Sequence, residues 1–283
     1  MRDISLEELL VAGCHFGHQV NRRNPKADEY IYEERSGVHI INLEKTREGL
    51  ISAANQMREI AARGGYVIVV GTKRQAKEIV EAEVKRAEEA GTKGLFYVTS
   101  RWVGGTLTNF SEVSKNFKKL KELTEFLKGG KTGDYTKREL LLMDRAREKL
   151  TGLYGGIMDL DRLPDALCII GTQLEQTAVS EAQSNKLNII GIVDTNSNPV
   201  HITYPIPAND DAVGSIKLIT NYLVDAWIEG AKKGAEDKQK ATEAEEKKVE
   251  KEKAVKENKE IPKVEKVETK PKKEKAPKTL KKK

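Results

Sequence analysis

YVIVVGTKRQAKEIV, residues 66–80, runs from a β-branched apolar block through Gly71 and Thr72 into a helical pattern. ALCIIGTQLEQTAVSEA, residues 166–182, repeats that order through Gly171 and Thr172. A short apolar run bounded by glycine suits a strand buried on both faces. The glycine permits a tight turn, and a threonine after it suits a helix N-cap. Two such units imply a parallel sheet with helices on both faces, and they place both turns at its carboxyl edge. Doubly wound proteins bind ligands at that edge, although a Gly-Thr turn is equally an efficient strand-to-helix connection.

Outward from these two stretches the alternation continues. LFYV (95–98) and NIIGIV (188–193) read as strands, and VHIINL (38–43) reads as a further one. Helical patterns cover 5–12, 44–63, 73–90, 174–186 and 210–230. The segment 106–153 interrupts the order. Phe110, Val113, Phe117, Leu120 and Leu127, then Met143, Ala146, Leu150 and Leu153, follow three-four spacing on either side of the turn sequence KGGKTGDY. This spacing predicts an antiparallel coiled-coil hairpin inserted between strands. The expected organisation is therefore an α/β domain of residues 1–105 and 154–230, the hairpin, and a Lys/Glu-rich tail over 231–283.

Charge separates the tail from the body. The chain has 283 residues, with 50 basic and 44 acidic groups, or +6. Residues 231–283 hold 20 lysines and 12 acidic groups, net +8, and no aromatic residue. Residues 1–230 hold the other 30 basic and 32 acidic groups, net −2. The tail has almost nothing to bury against an ordering entropy of roughly 1–2 kcal/mol per residue, so disorder is expected there. It is either a solubilising tail or a weak polyelectrolyte contact for RNA. The body cannot be read as nucleic-acid-binding from net charge; local clusters must carry that argument.

Other classes drop out. No apolar run approaches the roughly 18–20 residues of a membrane helix. The start, with Arg2, Asp3, Glu7 and Glu8, is unlike a signal peptide. Two distant cysteines, Cys14 and Cys168, argue for a reducing compartment, and cytoplasm is expected. GGKT (129–132) is not a phosphate loop, because Glu125 stands where that motif needs its first glycine. No GxGxxG, GxSxG or HExxH occurs.

Two kinds of site remain. His15 and His18 in GCHFGHQ, with Asp194 after a strand, are candidate ligands for a divalent metal ion, and Asp210 and Asp211, opening the last helix, add carboxylates at the same edge; capping or packing of the first helix is the competing reading. No cofactor is required on either reading. His39, between Val38 and Ile40, reads as structural. Basic residues gather in NRRNPK (21–26), at Lys73, Arg74 and Lys77, and on the hairpin at Lys115, Lys118 and Lys119. A projecting basic hairpin without a catalytic constellation favours RNA binding over catalysis, although such a face is often merely solvated.

Four segments together carry a resemblance: GCHFGHQVNRRNPK (13–26) with GVHIINLEKT (37–46), RWVGGTLTN (101–109), RLPDALCII (162–170), and IVDTNSNP (192–199) followed by IPANDDA (206–212). In this order they resemble the bacterial small-subunit ribosomal protein "S two" family over about residues 3–230. Cys14 stands where many members carry another small residue. The resemblance implies a flavodoxin-like doubly wound sheet with an inserted coiled-coil hairpin. It implies a structural protein that binds small-subunit ribosomal RNA between head and body and joins late. Implied partners are neighbouring small-subunit proteins, including "S one", with neither a membrane nor a small-molecule substrate. Arg22, Arg23, Lys26, Lys73, Arg74, Arg101, Asn109, Lys115, Lys118 and Lys119 are the expected RNA contacts. Arg101 and Asn109 serve either RNA or the hairpin base, and Trp102 is expected in the core. The alternative function is a nucleotide- or metabolite-binding α/β enzyme at the Gly71 and Gly171 turns, with Lys73, Asp194 and His18 as its available groups.

Overall fold

The computed structural model describes residues 2–129 and 135–257. Its strands are β1 (Phe16–Gln19), β2 (Ile31–Arg35), β3 (Val38–Ile41), β4 (Val67–Val70), β5 (Leu95–Val98), β6 (Ala166–Ile170), β7 (Asn188–Val193) and β8 (Tyr204–Pro207). Its helices are α1 (Leu6–Val11), α2 (Leu43–Ala62), α3 (Arg74–Glu89), α4 (Phe110–Lys128), α5 (Lys137–Tyr154), α6 (Gln176–Ser184) and α7 (Val213–Glu257). The chain divides into two compact units, residues 1–237 and 238–283.

The main sheet is parallel and ordered β5-β4-β6-β7-β8. Counted from β4 as the first strand, this is the 2-1-3-4-5 order of flavodoxin-like folds, with its switch point between β4 and β6. Alternation along the strands sorts the core into two faces. Val67, Val69, Cys168, Ile190 and Ile206 meet Leu50, Met57, Val80, Val84, Ile219 and Trp227 of α2, α3 and α7. Ile68, Val70, Leu167, Ile169 and Ile189 meet Val113, Phe117 and Leu120 of α4 and Ala178 and Ala182 of α6. Both faces are covered, which is why the strand sequences are continuously apolar rather than alternating.

Three strands escape sequence reading. β1, β2 and β3 form a separate antiparallel sheet ordered β1-β3-β2, so VHIINL is a strand but belongs outside the parallel sheet. β2 is exposed over Tyr32–Arg35 and has no apolar alternation to betray it. Its turn to β3 is made by Ser36 and Gly37, both at positive φ, as a two-residue hairpin turn requires. β8 reads YPIP, and proline argues against a strand; it is tolerated here because β8 is an edge.

The helices α4 and α5 lie against each other, with Phe117 and Tyr154 edge-on at 5.5 Å near the root. The expected seam is only partly followed. Val113, Phe117 and Leu120 are buried, but they pack into the core of the sheet domain. Ala146 on α5 is exposed. Anchoring the root in the body thus takes over burial that a free-standing seam would have supplied. The GGKT stretch lies largely outside the described residues. So does the end of the tail, 258–283; disorder was expected over all of 231–283, and the structure differs from that over 231–257, which is helical. The last helix does not stop at residue 230: α7 continues, and Gly234 is buried, with its Cα so near Ala62 that an added Cβ would lie 2.0 Å from the Ala62 carbonyl oxygen.

Candidate functional site

Four segments meet at the carboxyl edge of the parallel sheet. β1 brings His18, β4 leads to Lys73, β7 leads to Asp194, and the turn after β8 supplies Asp210 and Asp211. His18 Nδ1 lies 3.0 Å from Asp194 Oδ1, and its Nε2 lies 3.3 Å from Asp211 Oδ2. Lys73 Nζ lies 2.8 Å from Oδ1 of Asp210 and 2.8 Å from Oδ1 of Asp211. Asp194 and Asp210 are each only 1% exposed. Thr195 ties the cluster to β1: its amide donates to Asp194 Oδ1 at 2.6 Å, and its hydroxyl accepts from the His18 amide at 2.9 Å.

Three carboxylates against one ammonium and one imidazole set the electrostatics. The hydrogen bond to Asp194 raises the His18 pKa; burial opposes this, and the charges of the three aspartates reinforce it. Burial, with Asp194 alongside, pushes Asp210 up to about 6 in spite of Lys73. Burial acts to lower Lys73, but Asp210 and Asp211 outweigh it and hold the ammonium above its ordinary value. For Asp211 burial is outweighed by Lys73 and His18, and its carboxyl ends below the usual range. The ammonium approaches Asp210 at an angle that leaves both Asp210 oxygens without a well-directed hydrogen bond.

One donor atom from each of His18, Asp194 and Asp210 lies within 4.8 Å of the others. One imidazole nitrogen with two carboxylate oxygens is a donor set that suits zinc or a similar ion. His15 is not among them. Its ring packs on Phe16 at 3.9 Å, and its buried Nδ1 has no hydrogen-bond partner. His15 precedes β1, in the turn that follows α1, and is not on the strand that carries His18. Asp210, one of the carboxylates expected at this edge from IPANDDA, takes the third place.

The two Gly-Thr turns do not cap helices with their threonines. The N-cap of α3 is Lys73 and that of α6 is Glu175. Thr72 instead donates its hydroxyl to the buried Glu175 carboxylate, and Thr172 donates to the Ile192 carbonyl at 3.2 Å. Gly171, at φ +83°, leaves room where the Lys73 side chain crosses: a Cβ there would meet Lys73 Cε at 2.8 Å. The switch-point crevice is thus lined with committed carboxylates and a committed lysine. Lys73, Asp194 and His18, the groups an enzyme there would use, are bonded to one another or to the neighbouring aspartates.

The basic residues divide by partner. Lys73 is spent inside the cleft, Arg23 Nε lies 3.2 Å from Asp28, and Lys115 Nζ lies 2.7 Å from Glu112. Arg22, Lys26, Arg74, Arg101, Lys118 and Lys119 are exposed and meet no acid among the described residues. Arg22 also borders a cavity of about 340 Å³ whose wall includes His18, Asp194 and Asp211. Asn109 is the N-cap of α4, yet its side chain makes no cap bond and is exposed. Trp102 is buried, as expected. Among the described residues no helix is long and apolar enough to cross a membrane.

The family model described as ribosomal protein S2 matches residues 9–230. The match covers the whole sheet domain and the α4–α5 pair, and the chain belongs to that family, a family of structural proteins of the small ribosomal subunit.

Proposed function

We propose that this member of the ribosomal protein S2 family binds small-subunit ribosomal RNA through exposed cations on its body and on α4. They are Arg22, Lys26, Arg74 and Arg101 on the body, and Lys118 and Lys119 on α4, with Asn109 at the base of that helix. The observation that carries this reading is the division above: these groups have no acidic partner among the described residues, so nothing must be broken before they meet phosphate. Contacts of this kind read backbone and shape, which fits the lack of a short readout motif. Arg23 and Lys115 can join only by exchanging a carboxylate for a phosphate. Lys73 belongs to the fold.

The body's net charge of −2 over residues 1–230 supports a small RNA footprint beside protein neighbours. That balance suits a protein joining late, between head and body, and offering an acidic face for docking "S one". The cluster of His18, Asp194 and Asp210 would hold a divalent ion, which would supply a fixed positive charge where three carboxylates now share one lysine and one histidine. The cytoplasm is where such a ribosomal component works. Sedimentation of a cell lysate tests the main reading. The protein should travel with small subunits and leave them as salt is raised; a protein that stays at the top of the gradient at low salt refutes it.

A further inference from the structure

Glu181 is a carboxylate in the wrong place for a surface helix. It lies on α6, is 7% exposed, and has no cation beside it among the described residues. Its partners are four N–H groups of one loop. Oε1 accepts from the Trp102 indole at 3.3 Å and from the Gly105 amide at 2.7 Å. Oε2 accepts from the Leu107 amide at 2.9 Å and from the Thr108 amide at 3.4 Å. A buried anion needs its full complement of donors, and donors converging on an ionised oxygen make stronger bonds than neutral pairs do.

The loop is shaped around that acceptor. Gly105 sits at φ +89°, a backbone state that turns its amide inward at no Cβ cost. Thr106 closes the turn by donating its hydroxyl to the Val103 carbonyl at 2.5 Å. The loop begins at the exposed Arg101 and ends at Asn109, the residue on which α4 starts. One carboxylate from α6 therefore fixes the run that carries Arg101, Asn109 and the root of the lysine-bearing helix.

We infer that Glu181 is a positioning residue for RNA binding: it holds the loop 101–109 in the one conformation that presents Arg101 and Asn109 and aims α4. The inference rests on the RNA reading proposed above for those groups. Glutamine at this position keeps the size but loses the charge. It also turns an NH₂ group toward amides that are themselves donors, so half of the acceptor set disappears.

The test uses the full chain. Trp102 and Trp227 are the two tryptophans, so Trp227→Phe leaves Trp102 as the reporter. In Glu181→Gln on that background, Trp102 emission should shift. Hydrogen exchange at Gly105, Leu107 and Thr108 should quicken about tenfold or more while the amides of β4 and β6 keep their protection. If the background change unfolds the protein, exchange is read in Glu181→Gln alone. Unchanged exchange at the three amides overturns the positioning role. The functional half is read by incorporation into small subunits, with Arg101→Gln beside it. Both variants should incorporate several-fold less well than the parent. A loosened loop with normal incorporation, while Arg101→Gln fails, overturns Glu181 as an RNA-positioning residue. Normal incorporation of both variants overturns the RNA reading of the loop, and the exchange data then show separately whether Glu181 orders it.

Discussion

Lys73, at the start of α3, and the pair Lys118 and Lys119, on α4, are lysines of two basic clusters that look alike in sequence and live differently in the fold. The Lys73 side chain is 16% exposed and sits between Asp210 and Asp211. Lys118 and Lys119 are exposed and meet no acid among the described residues. A basic cluster in sequence therefore marks two different things. One is a counter-ion for carboxylates that arrive from a distant segment; the other is charge left available to a partner. The distinction is energetic. A buried carboxylate without its cation is costly, whereas an exposed lysine costs almost nothing to keep or remove.

The sharpest way to break this comparison is to remove the internal cation. Lys73→Met leaves Asp210, almost wholly buried, without its ammonium, and should destabilise the protein by about 3–5 kcal/mol in denaturant unfolding. Adding Asp210→Asn should recover much of that stability. A cost below about 1 kcal/mol, the range of an exposed ion pair, would place Lys73 with the solvated lysines after all.

A divalent ion probes the same cleft. At about 100 times its Kd a bound ion adds about 2.7 kcal/mol, so zinc should raise Tm at pH 7.5, and His18→Ala should abolish the rise. The sign with pH follows from the protons. Asp210 is raised to about 6 and His18 is raised as well, so the folded protein holds both protons more tightly than the unfolded chain does. Without metal, their contribution to stability is fullest at low pH and is lost as pH rises through about 6 and then through the His18 value. Metal must displace those protons, so the zinc effect should shrink at pH 5.5. A Tm indifferent to both zinc and chelator would leave His18 as an ion-pair partner only.

The smallest stability effect belongs to the other side of the comparison. Replacing Lys115, Lys118 and Lys119 by Gln should change stability by no more than about 0.5 kcal/mol per site. Assembly should respond all the same: each lysine that no longer neutralises a phosphate should flatten the salt slope of log affinity by roughly 0.7–0.9. Lys118 and Lys119 should account for more of this than Lys115, which already has Glu112. Normal incorporation at raised salt would make all three merely solvated and move the footprint to Arg22 and Arg101.

Strand by strand, legibility followed burial. β4, β6 and β7 are buried on both faces, so nearly every residue had to be apolar and the runs stood out. β1, β2 and β8 are edge strands, and their sequences FGHQ, IYEER and YPIP carry no such requirement. The site was half legible. His18 was readable as one of two histidines after the first helix, and Asp194 as an aspartate after a strand. His15 stays outside the cluster because it lies in the turn before β1 with its ring on Phe16, and neither that turn nor β1 was visible in the sequence. Glu181 gave no signal, because a glutamate in a polar helix is ordinary until its four donors are seen.

The sequence by itself determined the α/β alternation, the family, the +8 tail and the body's net −2, because these depend on local composition and order. Only the tertiary structure decided which charges are spent and which are free. Lys73 and Asp210 are far apart along the chain, and so are Glu181 and Leu107; they meet because parallel crossovers return every strand to one edge and lay α6 under the root of α4. Long-range electrostatic pairing of this kind leaves no periodic trace, since each partner satisfies only its own local rules until the fold brings them within a few ångströms.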